Sequence, residues 1–459
     1  MEQFEYIIKS VSGFLWSWPM LVLLFGTHIY LTIKLRFPQR KLATAIKLSV
    51  ASDKKSKGEV SPFAALTTAL AATIGTANIV GVATAVSLGG PGAVFWCWLT
   101  GILGFATKYS ECLLSIKYRT VSPAGVVVGG PMYVLKNVLK MRWLAILFCV
   151  FTVVASFGIG NMVQSNAIAL LANESWTIPY EISGAVTAIL VMLVIIFGLK
   201  GIARVCSTFV PLMAAIYIIG CLLVLIINIE YIPDTIVLIA KCAFNPEAAG
   251  GGFVGAAITI AARYGIARGL FSNESGMGSE PIIAASAQTR NPARQALVSA
   301  SGTFWDTVVI CALTGIVVVS AIIANPEISY NEGGRLTALA FSKIPILGEH
   351  ILSISLFTFA FSTLLGWSYY GEKSIEFLCD KKHAVTTYRI CWVVAVYIGA
   401  IANLSIVWGI AEIMNAFMAL PNLIALLLLS GVVAKETKYY VWGNRLDDYD
   451  PTSSAKQNQ

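Results

Sequence analysis

Uncharged apolar runs such as Phe148 to Phe157, Ile182 to Gly198 and Leu420 to Ala434 recur along this chain. Each, with its neighbours, is long enough to cross a hydrocarbon core about 30 Å thick. Such segments must satisfy every backbone N–H and C=O internally, so they fold as helices. Composition agrees: mean hydropathy is +0.76, and 57% of residues are hydrophobic against 12% charged, where soluble proteins carry about 25% charged residues. The fold class expected is an all-α polytopic membrane protein. The net charge of +8 does not mark a nucleic-acid binder, because the cations are not gathered on a soluble domain. The nine cysteines lie mostly within spans, with no CxxC pair and no metal-ligand spacing, and read as small buried hydrophobes.

Hydropathy and length give about eleven transmembrane helices, near residues 14–35, 61–87, 91–116, 143–171, 181–199, 203–228, 252–286, 295–323, 348–378, 386–403 and 406–434. Met1 to Ser10 carries Glu2 and Glu5 and lacks a basic n-region, so the first apolar stretch reads as a retained span rather than a signal peptide. Lys and Arg crowd alternate loops. Lys34 to Lys57 follow the first span, Lys117 to Arg142 the third, Lys200 and Arg204 the fifth, Arg290 and Arg294 the seventh, and Lys381 and Lys382 the ninth. Lys435 and Lys438 close the last span. This bias predicts an N-terminus outside and a C-terminus in the cytoplasm of a multi-pass cell-membrane protein. The chain divides into a leading helix (14–35), a five-helix half (61–228), an inverted second half (252–434) and a polar tail (447–459) read as disordered.

Two spans, the second and the seventh, are interrupted. The second carries Gly75-Thr76-Ala77-Asn78, and the seventh carries GIARGLFSNESGMG from Gly265 to Gly278. A helix broken at membrane depth survives only where its freed backbone faces protein, water or a ligand. Two breaks in corresponding places of two halves point to a transporter's binding site. Unwinding at Gly75 frees the carbonyls before it as hard oxygen ligands, and frees the N–H groups after it at the positive end of a helix dipole, where a carboxylate fits. Close packing through small residues is the alternative use of such a segment. In the second break, Glu274 needs a partner, since a mid-membrane carboxylate costs about 2.5–3.5 kcal/mol on insertion scales. Arg263 and Arg268 are the upstream candidates, and a structural ion pair or direct substrate contact are the two roles open to Glu274.

The fourth span holds Asn161, Gln164, Ser165 and Asn166 among apolar neighbours, either a ligand-facing set or interhelical hydrogen-bond glue. Ser362 and Thr363 lie mid-span in the ninth; such hydroxyls usually bond back to their own helix, but facing the first break they complete an all-oxygen cation site. Asp306 and Glu412 also lie in apolar spans and suit a proton carrier, a gate or a packing pair. His28, His350 and His383 form no metal or triad spacing, and Gly250 to Gly255 fits GxGxxG without the βαβ unit a dinucleotide site needs.

ALAATIGTANIVGVATAVSLGGPGAVFW, GFATKYSECLLSIKYR, ARGLFSNESGMGSEPI, NPARQALVS and LGWSYYGEK, spread over essentially the whole chain, resemble the alanine or glycine:cation symporters, the sodium:alanine symporter family of the amino acid-polyamine-organocation superfamily. The resemblance implies a LeuT-type fold, two inverted five-helix repeats preceded by one extra helix, with spans 2 and 7 broken. It implies that Thr76, Ala77 and Asn78, beside Gly75, meet the substrate carboxylate together with Gln164. It places the substrate ammonium at carbonyls near Thr73, Phe271 and Ser272, and the side-chain pocket between Phe271, Asn273 and Trp367. It gives Na⁺ the carbonyls of Ala71 and Ile74 and the hydroxyls of Ser362 and Thr363. Two positions depart from the family pattern: Ala77 where many relatives have Gly, and Glu280 where many have Ala.

The function expected is sodium-coupled import of small neutral amino acids, alanine or glycine, with Na⁺ as coupling ion, no other cofactor, and the monomer in the lipid bilayer as working unit. The alternatives are H⁺ coupling or a glutamine-type substrate on the same architecture. A membrane-embedded enzyme is disfavoured, since the chain has no HExxH, no nucleophile elbow and no paired intramembrane aspartates. A receptor or channel lacks its sensor domain or repeated filter loop.

Overall fold

The computed structural model describes residues 2–51, 56, 58–122, 125–245, 258–379 and 381–450. Lys54, Lys55 and Lys57, the glycine run 250–255, the start of the second half (252–257) and the end of the tail (451–459) lie outside the described residues. The protein is mostly helical, at 82%. Among the described residues the β structure is one short antiparallel pair, Thr120–Val121 with Val127–Val128, and a parallel bridge between Val60 and Ala287.

The helices that position the site are α1 (Glu2–Leu15), α2 (Trp18–Lys34), α3 (Pro62–Thr73), α4 (Val82–Gly89), α5 (Gly92–Lys117), α6 (Arg142–Phe157) and α7 (Val163–Trp176). They continue as α8 (Tyr180–Ile195), α9 (Gly198–Ile227), α10 (Ile258–Asn273), α11 (Glu280–Ala284), α12 (Pro292–Thr303), α13 (Ala312–Ala324), α14 (Gly348–Leu378), α15 (Lys382–Ile401), α16 (Ser405–Leu428) and α17 (Ser430–Glu436). Among the described residues seven helical stretches are long and apolar enough to cross a membrane, or eight if α3 and α4, bent by 56° at their break, count as one. The N-terminal segment departs from expectation: it is helical from Glu2, turns at Trp16 and Ser17, and restarts at Trp18 with Pro19 in its first turn. Proline is tolerated there because the first N–H groups of a helix have no intrahelical partner.

Among the described residues, π-helical turns lie at Ala77–Gly81 before α4, Gly158–Met162 between α6 and α7, Phe304–Cys311 between α12 and α13, and Thr437–Trp442 after α17. Such turns add a residue to the helical repeat and concentrate at functional sites. Helix α5 packs between α10 and α12, and α14 packs against α3, α6, α7 and α9, so the first break is walled by α14 and the second by α5. Small residues allow this closeness. A side chain on Gly366 of α14 would stand 2.7 Å from Ala72 Cβ of α3, and one on Gly160 would stand 2.3 Å from Trp367 Cβ.

The tail begins ordered rather than loose. Asp447 accepts from Arg294 at 2.6 Å, and the Asp450 N–H donates to the Arg290 carbonyl at 2.9 Å. Between α10 and α11, Glu274, Gly276 and Gly278 adopt φ of +53°, +90° and +83°. A side chain at Gly278 would meet Pro131 Cγ at 2.7 Å and one at Gly276 would meet Leu24 Cδ2 at 2.9 Å, whereas nothing lies within 4 Å of Gly26. Left-handed backbone costs an L-residue about 1–2 kcal/mol. Gly276→Ala and Gly278→Ala are therefore expected to lower the thermal unfolding temperature of the detergent-purified protein, and Gly26→Ala to leave it unchanged.

Candidate functional site

Helix α3 ends when Ile74 turns to an extended ψ of 94°. Its last N–H bond runs from Ile74 to the Leu70 carbonyl, and the Gly75 N–H is capped by Asn78 Oδ1 at 2.9 Å. Residue 75 must be small, because a Cβ there would stand 2.9 Å from Thr363 Oγ1. The α3 carbonyls just before the break have lost their next-turn donors, and α14 brings hydroxyls to them. Ser362 Oγ lies 3.2 Å from the Ala71 carbonyl oxygen and 2.9 Å from that of Phe359. Thr363 Oγ1 donates to the same Phe359 carbonyl at 3.0 Å. A hydroxyl has one proton. With those protons on Phe359, the remaining lone pairs of Ser362 and Thr363 lie beside Ala71 and Gly75 as an all-oxygen donor set of the kind hard cations take.

The two breaks are joined by one carboxylate. Asn78 Nδ2 donates to Asp306 Oδ1 at 2.6 Å and to Ser272 Oγ at 2.9 Å. The Ser272 hydroxyl donates to Asp306 Oδ2 at 2.8 Å, and Thr307 Oγ1 donates to the same oxygen at 2.6 Å. Asn78, Ser272 and Asp306 are all buried. Asn78 follows the first break, Ser272 precedes the second, and Asp306 comes from the π-helical stretch before α13. Sequence reasoning singled out Asp306 but left its role open among proton carriage, gate and packing pair. Its hydrogen-bond partners are two hydroxyls and an amide, and it forms no ion pair among the described residues.

The other expected site residues divide into two sets. Thr76 Oγ1 reaches Gln164 Oε1 at 3.4 Å, and Gln164 Nε2 donates to the Ile159 carbonyl at 3.0 Å across the π turn of the fourth stretch. Thr76, Ala77 and Phe271 are partly accessible while Thr73, Asn78 and Ser272 beside them are buried. Trp367 is buried against Gly160, edge-on to Tyr370 at 5.6 Å. Asn273 is held by α5 and by its own turn: its Nδ2 faces Thr100 Oγ1 on α5 at 3.4 Å and its Oδ1 accepts from the Ser275 N–H at 3.0 Å. Asn161 and Ser165 bond the Trp392 and Val396 carbonyls of α15, the glue reading of that motif.

Among the described residues, Lys108 of α5 is the ion-pair partner of Glu280, and Glu274 bonds Ser279 rather than the upstream arginines. Lys108 Nζ lies 3.1 Å from Glu280 Oε2 and 3.5 Å from Glu111 Oε1, all with side chains at most 3% exposed. Glu111 Oε2 accepts from Asn422 Nδ2 at 2.8 Å and from the Gly278 N–H at 3.2 Å, and Glu274 Oε2 accepts from Ser279 at 2.5 Å. The backbone leaves the helix at Glu274, which takes that carboxylate away from α10, while Arg268 stays on the helix with its guanidinium 5.7 Å over the Phe271 ring. Arg263 lies over Tyr264 at 5.6 Å. Lys108 was readable as a cation three residues from an acid inside an apolar span, the spacing of neighbours on one helix face.

Broken membrane helices whose gaps are stitched together at a buried polar site are the arrangement of a multi-pass membrane transporter. The sodium:alanine symporter family profile matches residues 1–454, and the chain belongs to that family. An uncharacterized transporter of Haemophilus influenzae is 48% identical over 98% of this chain and 99% of its own. A protein named sodium/alanine symporter AgcS, of Methanococcus maripaludis, is 47% identical over 95% of this chain and 97% of its own. The crystal structure of MhsT in complex with L-phenylalanine superposes with a TM-score of 0.59 at 16% identity, covering 84% of this chain and 95% of that one, which establishes the LeuT-type fold.

Removing one partner of a buried ion pair leaves an uncompensated charge and costs about 3–5 kcal/mol, while removing both is far milder. Lys108→Met is expected to lower the unfolding temperature sharply, and Lys108→Met with both Glu280→Gln and Glu111→Gln to recover much of it. Thermal unfolding of the purified variants measures both.

Proposed function

We propose that this protein carries a small neutral amino acid, alanine or glycine, into the cell together with Na⁺ by alternating access. The arrangement that best supports the reading is the first break: Ala71 carbonyl and Ser362 hydroxyl oxygens 3.2 Å apart on one side of it, and Asn78 bonded to the second break on the other. Na⁺ is held there by the carbonyls of Ala71 and Ile74 and the hydroxyls of Ser362 and Thr363. The N–H groups of Thr76 and Ala77, at the positive end of the segment that starts after Gly75, receive the substrate carboxylate, with Gln164 alongside. The carbonyls near Thr73, Phe271 and Ser272 receive the ammonium. Phe271 and Trp367 bound the side-chain space, and the Ala77 methyl narrows it.

In this reading the chain forms eleven spans, a leading helix and two inverted halves that each begin with a broken helix, in the cell membrane with the N-terminus outside. The zwitterion carries no net charge, so the ion alone couples uptake to the membrane potential. One charge moving through 100 mV supplies about 2.3 kcal/mol, which is about fiftyfold accumulation before any sodium gradient is added.

Proteoliposomes containing the protein are expected to take up labelled alanine when sodium is imposed outside; uptake indifferent to the sodium gradient contradicts the coupling. Replacing both hydroxyls, Ser362→Ala with Thr363→Ala, is expected to raise the sodium concentration for half-maximal uptake by about tenfold, the scale of lost ligand-sphere contacts. An unchanged sodium dependence removes those residues from the ion site.

A further inference from the structure

The N-terminal helix is tied to the binding region by contacts that the transport reading does not use. Between α1, α4, α10 and α16 lies a cavity of about 320 Å³, and Trp16, Arg268, Phe271 and Glu412 all line it. Glu412 of α16 is the fastening point. Its carboxylate accepts from Ser12 Oγ of α1 at 2.5 Å and from Trp408 Nε1 at 2.8 Å, and its carbonyl accepts from Trp16 Nε1 at 3.1 Å. Ile8, one turn earlier on α1, packs so closely on Gly409 that a side chain there would stand 2.3 Å from its Cγ2. The corner between α1 and α2 is thus clamped on α16 at its side chains and at its ring.

The clamp aims the Trp16 indole at Phe271. The two rings meet edge to face, centroids 5.9 Å apart at 67°, and the Arg268 guanidinium lies over the Phe271 ring at 5.7 Å. Phe271 immediately precedes Ser272, whose hydroxyl bonds Asn78 of the first break. One face of the second break is therefore backed by an aromatic from outside the two broken helices. An aromatic side chain held between a ring and a guanidinium has little rotamer freedom; without the backing ring, it can swing back into the cavity of about 320 Å³ behind it.

We infer that Trp16 is a specificity-determining positioning residue: held by the α1–Glu412 clamp, it fixes Phe271 against the binding region and so limits the size of the amino acid accepted. This rests on the amino-acid reading above. Trp16 acts through Phe271 and needs no contact with substrate.

The test is competition by leucine against labelled alanine, in the presence of sodium, on detergent-purified full-length protein. Trp16→Leu removes the edge contact, and Trp16→Phe keeps a ring while losing the indole donor. Trp16→Leu is expected to strengthen leucine relative to alanine by about fivefold, the scale of one lost aromatic pair, and Trp16→Phe, which keeps a ring but cuts its tie to Glu412, to shift the ratio in the same direction by less. Ser12→Ala, which cuts one tie of the clamp, is expected to move the ratio in the same direction by less, and decides the matter if Trp16→Leu does not fold. An unchanged leucine-to-alanine ratio in the folded variants overturns the inference even where affinity or stability falls, since a purely structural helix shifts those and not the ratio. Parent protein that binds no neutral amino acid overturns the functional reading itself, and this inference with it.

Discussion

The Asp306 carboxylate is the constraint on which the site depends. A carboxylate buried in a membrane bundle is costly unless donors converge on it. Here Asn78, Ser272 and Thr307 supply them at 2.6 to 2.8 Å. Because Asn78 and Ser272 belong to the two different breaks, satisfying one carboxylate holds both interruptions in register. The other contacts follow from that. With Asn78 pinned, its Oδ1 caps Gly75; with Gly75 exposed to α14, Thr363 and Ser362 reach the freed end of α3.

A second buried cluster does for the far side of the second break what Asp306 does for the near side. Lys108 stands between Glu280 and Glu111, and Glu111 in turn receives Asn422 and the Gly278 N–H. Left-handed Glu274 is a strained conformation that persists only where surroundings over-determine it, and Gly276 and Gly278 carry the positive φ beside it that glycine takes without strain. The ion cluster and the packing of Leu24, Leu423 and Pro131 around the two glycines supply that determination. Both breaks are thereby preorganised rather than loose, as a site that must discriminate among small zwitterions requires.

Much of this was legible in the residues. Gly75 and the run from Ser272 to Gly278 announced their breaks because glycine and short polar side chains are poor helix material at membrane depth. Ser362 and Thr363 were placed opposite the first break by family resemblance, and α14 does carry them there. What single-chain patterns could not supply was the partner across space. Lys108 and Glu280, or Trp16 and Phe271, are joined only by tertiary packing, so Glu274 was assigned the nearest cations along its own helix. The hydrogen bonds of Asn273 were out of reach for a related reason: the side chain of a residue at a helix end is aimed by the turn that follows, and this one caps Ser275. The polar opening Met1 to Ser10 gave no span signal, yet it is amphipathic and packs along α16 from Ile8 onward.

Alanine binding to purified Asp306→Asn protein, compared with the parent at saturating sodium, tests this account most directly. The substitution keeps the shape and removes the charge that gathers Asn78, Ser272 and Thr307. Hydrogen bonds to a charged group contribute about 1.5–3 kcal/mol each, so affinity for alanine is predicted to fall by about tenfold or more in a protein that still unfolds cooperatively. Unchanged alanine affinity in folded Asp306→Asn protein would contradict the claim that this carboxylate joins the two breaks into one site.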